Sequence, residues 1–165
     1  MNKKNNILFV DVIATDSNSG GGSSNSLKLL LEDYHENKDE LSSTRVYFLT
    51  NNYNLNYYRL KIPKSVQKLN ISFPKVLNLY GGEIFTLKNL LKLFFHAIPV
   101  TNIQFVKSIH KNKIDSIIFN ERRAMLTFLP GAIYLKIFHK IQIVEYIRGD
   151  YGSGKLINTI IDDIP

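Results

Sequence analysis

Three short polar segments contain the residue types that could bind a phosphate-bearing ligand. Glycines let the backbone approach a ligand without a Cβ in the way, and backbone N–H groups at a helix start favour anions. An arginine adds a planar fork of hydrogen-bond donors that suits phosphate. For the glycine-serine segment, a solvent-exposed turn is the alternative interpretation. The candidate binding residues are Gly20, Gly21, Gly22 and Ser23 in the first segment, Asn120, Glu121 and Arg122 in the second, and Arg148, Gly149 and Asp150 in the third.

Each of these segments follows a short apolar run that is typical of a β-strand. The predicted strands are Ile7–Val10, Arg45–Thr50, Leu69–Phe73, Ile114–Phe119 and Ile141–Ile147. The candidate segments come after the first, fourth and fifth of them. Because ligands of open parallel sheets bind at the carboxyl ends of the strands, we expect the three loops to lie along one edge of a sheet.

Helical periodicity fills the connections between the strands. Apolar residues recur at helical spacing over Leu27–Tyr34 and again over Leu87–Ile98. We expect Pro99 to end or kink the second helix before a continuation, and a further apolar helix, broken near Pro130–Gly131, to reach about Lys140. The alternation of strands and helices predicts an α/β fold with a Rossmann-like, doubly wound parallel sheet.

The composition indicates one globular domain covering residues 1–165. Hydrophobic residues make up 44% and charged residues 21% of the chain, and there is no cysteine. The absence of cysteine excludes disulfides, thiolate metal sites and cysteine nucleophiles. The apolar runs are too short for a membrane-spanning helix or a secretory signal, so we expect a cytoplasmic protein. The four histidines lie apart from one another and from acids in the sequence, and we expect no metal site and no cofactor.

The net charge of +7 is unevenly distributed. Residues 1–40 contain 4 lysines and 7 acids, whereas residues 41–82 and 84–114 contain no acid. This asymmetry is compatible with an anionic membrane surface, nucleic acid or phosphorylated ligands, and composition bias is the alternative. No RNA-binding or zinc motif occurs, so nucleic acid is not the expected partner. The basic amphipathic stretch Leu87–Lys113 could lie on anionic lipid, or it could be a core-facing helix with solvated lysines.

Two phosphate-binding motifs are nearly matched. Around Gly20–Gly22 the G-x-G-x-x-G pattern fails because position 25 is Asn, so we do not expect a dinucleotide site. Gly149–Lys155 has the spacing of a P-loop, but Leu156 stands where a hydroxyl would hold Mg²⁺. A phosphotransferase of the P-loop type is therefore a minor alternative.

The order of these segments resembles the N-terminal domain of GT-B glycosyltransferases, particularly the retaining enzymes of family 4 that build bacterial surface polysaccharides. In that family a first strand leads through a Gly-Gly loop into a helix, which is similar to Ile7–Val10 followed by Gly20–Leu27. Arg45–Thr50 resembles the family's V-x-V-L-T segment. Lys113–Asn120 is similar to its fourth strand after an Ile-Asp pair, and Ile141–Asp150 to a last strand that often reads P-x-V-x-x-x-H-G.

This resemblance implies a nucleotide-sugar-dependent glycosyl transfer in which the chain is the acceptor-side half. Its partners would be a nucleotide-sugar donor, a glycan or lipid-linked acceptor, and a separate C-terminal half that holds the family's E-x₇-E pair. We expect that half and that pair to be absent from this chain, and the chain alone to be inactive. Because Arg148 stands where many relatives have histidine, the role of that histidine is not carried over. A non-catalytic α/β binding or assembly module that contacts an anionic membrane surface or nucleic acid is the alternative.

Overall fold

The computed structural model describes residues 5–12, 22–50, 62–78 and 86–145. Five strands and four α-helices alternate along these residues, together with a 3₁₀ turn at Lys75–Asn78 and a π-helical turn at Leu93–Ala97. The strands are β1 Asn5–Asp11, β2 Thr44–Thr50, β3 Gln67–Leu69, β4 Ser116–Phe119 and β5 Gln142–Glu145. The helices are α1 Gly22–Glu36, α2 Leu87–Lys92, α3 Ile98–Asn112 and α4 Arg122–His139.

The strands form one parallel sheet in the order β3-β2-β1-β4-β5. β1 lies at its centre, where Phe9 is opposite Phe48 of β2 on one side and Ile118 of β4 on the other. All four strand pairs are parallel, and the connections carry helices to both faces of the sheet. The structure is therefore a Rossmann-like α/β domain, as the alternation of strands and helices predicts.

The sheet separates two hydrophobic clusters because successive side chains of a strand point to opposite faces. Leu8 and Val10 of β1 pack with α3 and α4, and the fully buried rings of Phe105 and Phe128 lie 4.4 Å apart in that larger cluster. Phe9 points to the other face, where it packs in a smaller cluster with α1. Burying one such ring contributes about 1.5–3 kcal/mol to folding, so the face under α3 and α4 provides most of the hydrophobic stabilisation.

The position of the third strand differs from the prediction. The expected strand Leu69–Phe73 shares only Leu69 with the observed β3, which pairs with Tyr47–Leu49. Beyond Leu69 the side chains of Ile71 and Phe73 still pack on the core, but the backbone leaves the ladder, and the Ser72 N–H donates to Gln104 Oε1 at 2.9 Å. The apolar pattern therefore identifies burial in this segment, whereas hydrogen bonding to β2 ends earlier.

The helix around Pro99 continues through the proline. The regular α-helical pattern ends at Lys92, five residues form a π-helical turn, and α3 begins at Ile98 with Pro99 in its first turn. Proline has no N–H for the preceding turn and its ring crowds that turn's carbonyl, which the wider π turn accommodates. Ala97, which is fully buried, packs against Val76 of the 3₁₀ turn and holds this segment on the domain.

The predicted break at Pro130–Gly131 is wrong, because α4 runs without interruption from Arg122 to His139. Asn102 of α3 contacts the helix at this point: its Oδ1 accepts from the Gly131 N–H at 2.8 Å, and its Nδ2 donates to the Thr127 carbonyl at 2.9 Å. These are the donor and acceptor of one turn of α4, so the amide supports the backbone beside the proline. Gly131 permits the close approach, because a Cβ there would lie 2.8 Å from Asn102 Oδ1.

Candidate functional site

The carboxyl ends of β1 and β4 lie side by side at the point where the sheet changes its winding direction. From β1 the chain passes through α1 to β2, while β4 lies on the other side of β1. The loops that follow two such strands diverge to opposite faces and leave a crevice between them, which is where ligands of this fold class bind. This edge of the sheet is therefore the candidate site.

Three polar side chains meet at that crevice. Asp11 ends β1 and Asn120 follows β4, and both are buried. Asn120 Nδ2 lies 3.4 Å from Asp11 Oδ2, and the Asn120 N–H donates to the Val10 carbonyl at 2.9 Å. Glu121 reaches across to accept from the Val12 N–H at 3.3 Å. These contacts hold a carboxylate from each of the two loops against the partner strand.

Three further residues extend the polar edge along the neighbouring strands. Thr50 ends β2 and is buried, and within the described part of the chain its Oγ1 has no hydrogen-bond partner. Glu145 ends β5, and its carboxylate lies 3.8 Å from Nε of Arg122, which begins α4. We refer to all six residues as the carboxyl-edge cluster: Asp11, Thr50, Asn120, Glu121, Arg122 and Glu145.

Glu145 occupies an electrostatically unfavourable environment in the cluster. Its side chain is only 3% exposed, and both carboxylate oxygens lack a hydrogen-bond partner among the residues that the structure describes. Burial raises the pKa of the Glu145 carboxyl above its ordinary value, and the Arg122 guanidinium partly opposes this by favouring the charged form. Glu145 is thus a carboxyl group at the sheet edge that receives no hydrogen bond from the described residues.

Two helix starts add positive potential to the same edge. α1 follows β1 and begins at Gly22, and α4 follows β4 and begins at Arg122. Neither helix has an acidic residue in its first turn. The first backbone N–H groups of a helix have no intrahelical acceptor, and with the helix dipole they favour an anion.

The structure brings some of the sequence-predicted site residues together. Asn120, Glu121 and Arg122 lie at the carboxyl edge, and Gly22 and Ser23 form the first turn of α1. The remaining candidates lie outside the described residues: Gly20, Gly21, Arg148, Gly149 and Asp150.

The sequence analysis missed Asp11, Thr50 and Glu145. Each is the polar residue at the carboxyl end of an apolar strand, and that position is the signal that could have identified them. Their proximity depends on the order of the strands in the sheet, which no local pattern contains.

The expected absence of the E-x₇-E spacing is wrong, because Glu32 and Glu40 have it. Glu32 lies on α1 and is paired with Lys28 at 3.6 Å, and Glu40 is exposed in the turn after that helix. α1 begins at the carboxyl edge and runs away from it, so this pair lies far from the candidate site. Its spacing therefore has no bearing on the carboxyl-edge cluster.

Two histidines that are separate in the sequence meet in the structure. The rings of His110, in the last turn of α3, and His139, in the last turn of α4, lie 4.2 Å apart in an edge-to-face arrangement. This contact depends on the packing of α3 against α4 and not on spacing in the sequence. In the described ranges, no group of three or more histidine or acidic side chains is placed to hold a metal ion.

The sequence matches no protein-family model, and no curated protein matches it. The resemblance to the N-terminal domain of family 4 GT-B enzymes therefore stays a prediction. Among the described helices, none combines the length and apolarity needed to cross a bilayer.

Proposed function

We propose that this chain is the acceptor-side domain of a nucleotide-sugar-dependent glycosyltransferase of surface polysaccharide or glycoconjugate biosynthesis. The observation that carries the proposal is the carboxyl-edge cluster, which gathers the buried Asp11 carboxylate, the buried Asn120 amide and the partly buried Glu121 carboxylate at the switch point of a Rossmann-like sheet. Its compartment would be the cytoplasm, which suits a chain without cysteine.

The chemistry of the cluster suits a ligand rich in hydroxyl groups. An ionised carboxylate is an acceptor only, so ionised Asp11 and Glu121 would accept hydrogen bonds from ligand hydroxyl groups. Burial raises the pKa of the Glu145 carboxyl, which would also donate a hydrogen bond when it is protonated. Hydrogen bonds with one ionised partner are roughly twice as strong as neutral ones. With three carboxyl groups and the Arg122 guanidinium, this part of the edge fits a sugar or glycan acceptor better than it fits a diphosphate.

The donor diphosphate would lie at the start of α1. The helix offers free backbone N–H groups there, and Gly22 and Ser23 occupy its first turn. Arg148 would add a charged donor from the loop after β5. In the transfer, the bond from the anomeric carbon to phosphate breaks and its electrons leave with the nucleoside diphosphate. The acceptor oxygen bonds to that carbon and gives its proton to a carboxylate or to solvent. The hydrogen-bond donors around the diphosphate stabilise the negative charge that develops on it.

A binding experiment tests the acceptor side directly. Glycan acceptors and nucleotide sugars are titrated into the protein and followed by calorimetry and ligand-observed magnetic resonance, for wild type and for Glu121→Gln and Arg122→Gln. We expect each variant to bind the glycan roughly tenfold more weakly, since each loses a charge-assisted hydrogen bond. The matched controls Glu36→Gln and Arg45→Gln, at exposed positions away from the carboxyl edge, are expected to bind like wild type.

A transfer assay tests whether sugar transfer requires a separate donor-binding domain. The chain is assayed for sugar transfer alone and mixed with a separately supplied donor-binding domain, and activity is expected only in the mixture. Failure to bind any nucleotide sugar or glycan in either format would overturn the proposed function.

A non-catalytic α/β module that contacts an anionic partner is the second candidate. It is favoured by the charge distribution, since the described residues 86–114 and 122–144 contain no acid. That function predicts binding to an anionic surface or to nucleic acid that falls steeply with salt, without any affinity for nucleotide sugars. Measuring both affinities on one preparation separates the two functions.

A further inference from the structure

A long open groove separates α3 and α4 on the side facing away from the sheet. Its volume is about 640 Å³, within the range of about 300–1,000 Å³ that ligand pockets occupy. Its walls are mainly apolar, and six of its residues bear on the argument: Phe94, Asn102, Ile103, Lys107, Gly131 and Tyr134. We refer to this surface as the α3–α4 groove. It lies apart from the carboxyl-edge cluster and shares no residue with it.

The interior of the groove offers a ligand few hydrogen-bonding groups. Asn102 lines it, but Nδ2 donates to the carbonyls of Ile98 and Thr127 and Oδ1 accepts from the Gly131 N–H, so the amide is already engaged by the two helices. A sugar or a nucleotide would lose hydrogen bonds to water there without replacement. A hydrocarbon chain has no hydrogen bonds to water to lose, and its transfer from water into the groove is favourable. The groove therefore favours an apolar ligand.

Large apolar side chains continue beyond the groove onto the open surface. Phe95 is 80% exposed, Phe138 68% and Phe94 60%, and Leu87 and Ile103 are also more than half exposed. An apolar patch of this kind on a folded domain marks a surface that is covered by a partner or a membrane. Aromatic rings in particular favour the interface between lipid and water.

The charges around the patch identify the partner as anionic. Acids are absent from the described residues 86–114 and 122–144, which form and connect these helices. The cations on the same helices and their C-caps are Lys88, Lys92, Lys107, Lys111, Lys113, Arg122, Arg123, Lys136 and Lys140. A second copy of this chain would bring like charges into contact, which disfavours self-association. An apolar surface on helices that carry several lysines and no acid is instead complementary to a bilayer that contains anionic lipid.

We propose that the α3–α4 groove binds one hydrocarbon chain of an anionic membrane lipid and docks the domain on the bilayer surface. Lys107 lines the groove and would pair with the lipid phosphate. Phe138, whose ring lies 5.1 Å from that of the groove residue Tyr134, would insert beside it. This inference concerns a surface that the proposed glycosyl transfer does not use. It therefore stands or falls separately from that function.

Sedimentation with vesicles tests the proposal. The protein is mixed with vesicles of phosphatidylcholine alone and of phosphatidylcholine with phosphatidylglycerol, and binding is expected only to the second. Ile103→Glu is expected to weaken binding at least roughly tenfold, since it puts a charge of the wrong sign into the apolar groove. The matched control Leu29→Glu, at an exposed leucine of α1 on the opposite face, is expected to weaken binding far less.

A charge-preserving pair of variants separates chain binding from surface attraction. Ile103→Lys adds a positive charge but makes the groove polar, so it is expected to bind anionic vesicles more weakly than Leu29→Lys does. If Ile103→Lys binds as well as Leu29→Lys, attraction by lysines accounts for binding and the groove holds no chain. The proposal is also overturned if the wild-type protein sediments with neither kind of vesicle, or if it binds nucleic acid instead. Circular dichroism of each variant verifies its fold.

Discussion

Buried polar side chains differ in their hydrogen bonding between two regions of this domain. In the contact between α3 and α4, both polar atoms of Asn102 are hydrogen-bonded to backbone groups. At the carboxyl edge of the sheet, Thr50 Oγ1 and both oxygens of Glu145 are buried without a hydrogen-bond partner among the described residues. A buried polar group without a partner is unfavourable by about 1–3 kcal/mol, so the Thr50 and Glu145 side chains have the opposite effect on stability to the Asn102 amide.

The difference indicates which polar groups maintain the fold and which are available to a ligand. Asn102 joins the two helices, and its removal would take away the side-chain hydrogen bonds to the Gly131 N–H and the Thr127 carbonyl of α4. The side chains of Thr50 and Glu145 make no hydrogen bond within the described part of the chain, yet they lie where ligands of parallel sheets bind. Thr101 of α3 is also buried, its hydroxyl has no hydrogen-bond partner among the described residues, and nothing in that part of the chain explains it.

The largest effect is expected for Asn102→Leu. This variant removes the three hydrogen bonds of the Asn102 amide to the backbone of α3 and α4, and we expect the free energy of unfolding to fall by about 2–3 kcal/mol. Urea denaturation measures the loss. The control Asn37→Ala, at an exposed asparagine, should change stability by less than about 0.5 kcal/mol. A similar loss in both variants would contradict the structural role of Asn102.

Gly131→Ala should also destabilise the domain, although alanine is normally the better helix former. The added Cβ would lie 2.8 Å from Asn102 Oδ1 and 3.2 Å from Phe105, so the helices must move apart. Overpacking of this kind is unfavourable by about 1–3 kcal/mol, which exceeds the gain of about 1 kcal/mol from helix propensity. In the double variant with Asn102→Ala the two losses should not add, because the clash disappears. A rise in stability for Gly131→Ala would refute the close contact.

Thr50→Val tests the opposite region. Replacing an unpaired buried hydroxyl by a methyl group of the same shape should leave stability unchanged or raise it by up to about 1 kcal/mol. The affinity for a glycan or nucleotide sugar should fall at the same time. A clear loss of stability without any loss of binding would show that Thr50 supports the fold and not a ligand.

The smallest effect is a dependence of stability on pH that comes from Glu145. Burial raises the pKa of this carboxyl in the folded state, so the folded protein holds the proton more tightly than the unfolded chain does. Stability should therefore fall as pH rises through and above the unfolded pKa, and the penalty should vanish below about pH 4. Glu145→Gln should melt at a higher temperature than wild type at neutral pH, and this advantage should disappear in acid. An advantage that does not change with pH would exclude titration of Glu145 as its cause.

Much of the fold follows from local patterns in the chain. The apolar runs at Ile7–Val10 and Arg45–Thr50 predict two central strands, and helical spacing predicts α1 and the segment after Thr86. The alternation of apolar strand-like runs with segments of helical spacing then predicts a parallel sheet in an α/β fold. The errors fall where local chemistry competes with tertiary contacts: the third strand is misplaced, and Pro130 does not break its helix.

Three residues of the carboxyl-edge cluster were predicted from the sequence, and the other three were not. Asn120, Glu121 and Arg122 form a polar loop after an apolar strand, which is a recognisable signal. Asp11, Thr50 and Glu145 each end a strand, and only the parallel arrangement brings all three to one edge. Asp11 and Asn120 are 109 positions apart, so their contact depends on β1 pairing with β4.

The sequence by itself determines the fold class, the absence of cysteine chemistry and the acid-free character of residues 84–114, because these depend on composition and short-range periodicity. The tertiary structure alone decides that Asn102 supports the α4 backbone at Gly131, 29 positions away, and that His110 meets His139. It also decides that two acid-free helices face each other across an apolar groove. Such features require distant segments to pack together, and packing depends on strand order and helix approach, which no local pattern contains.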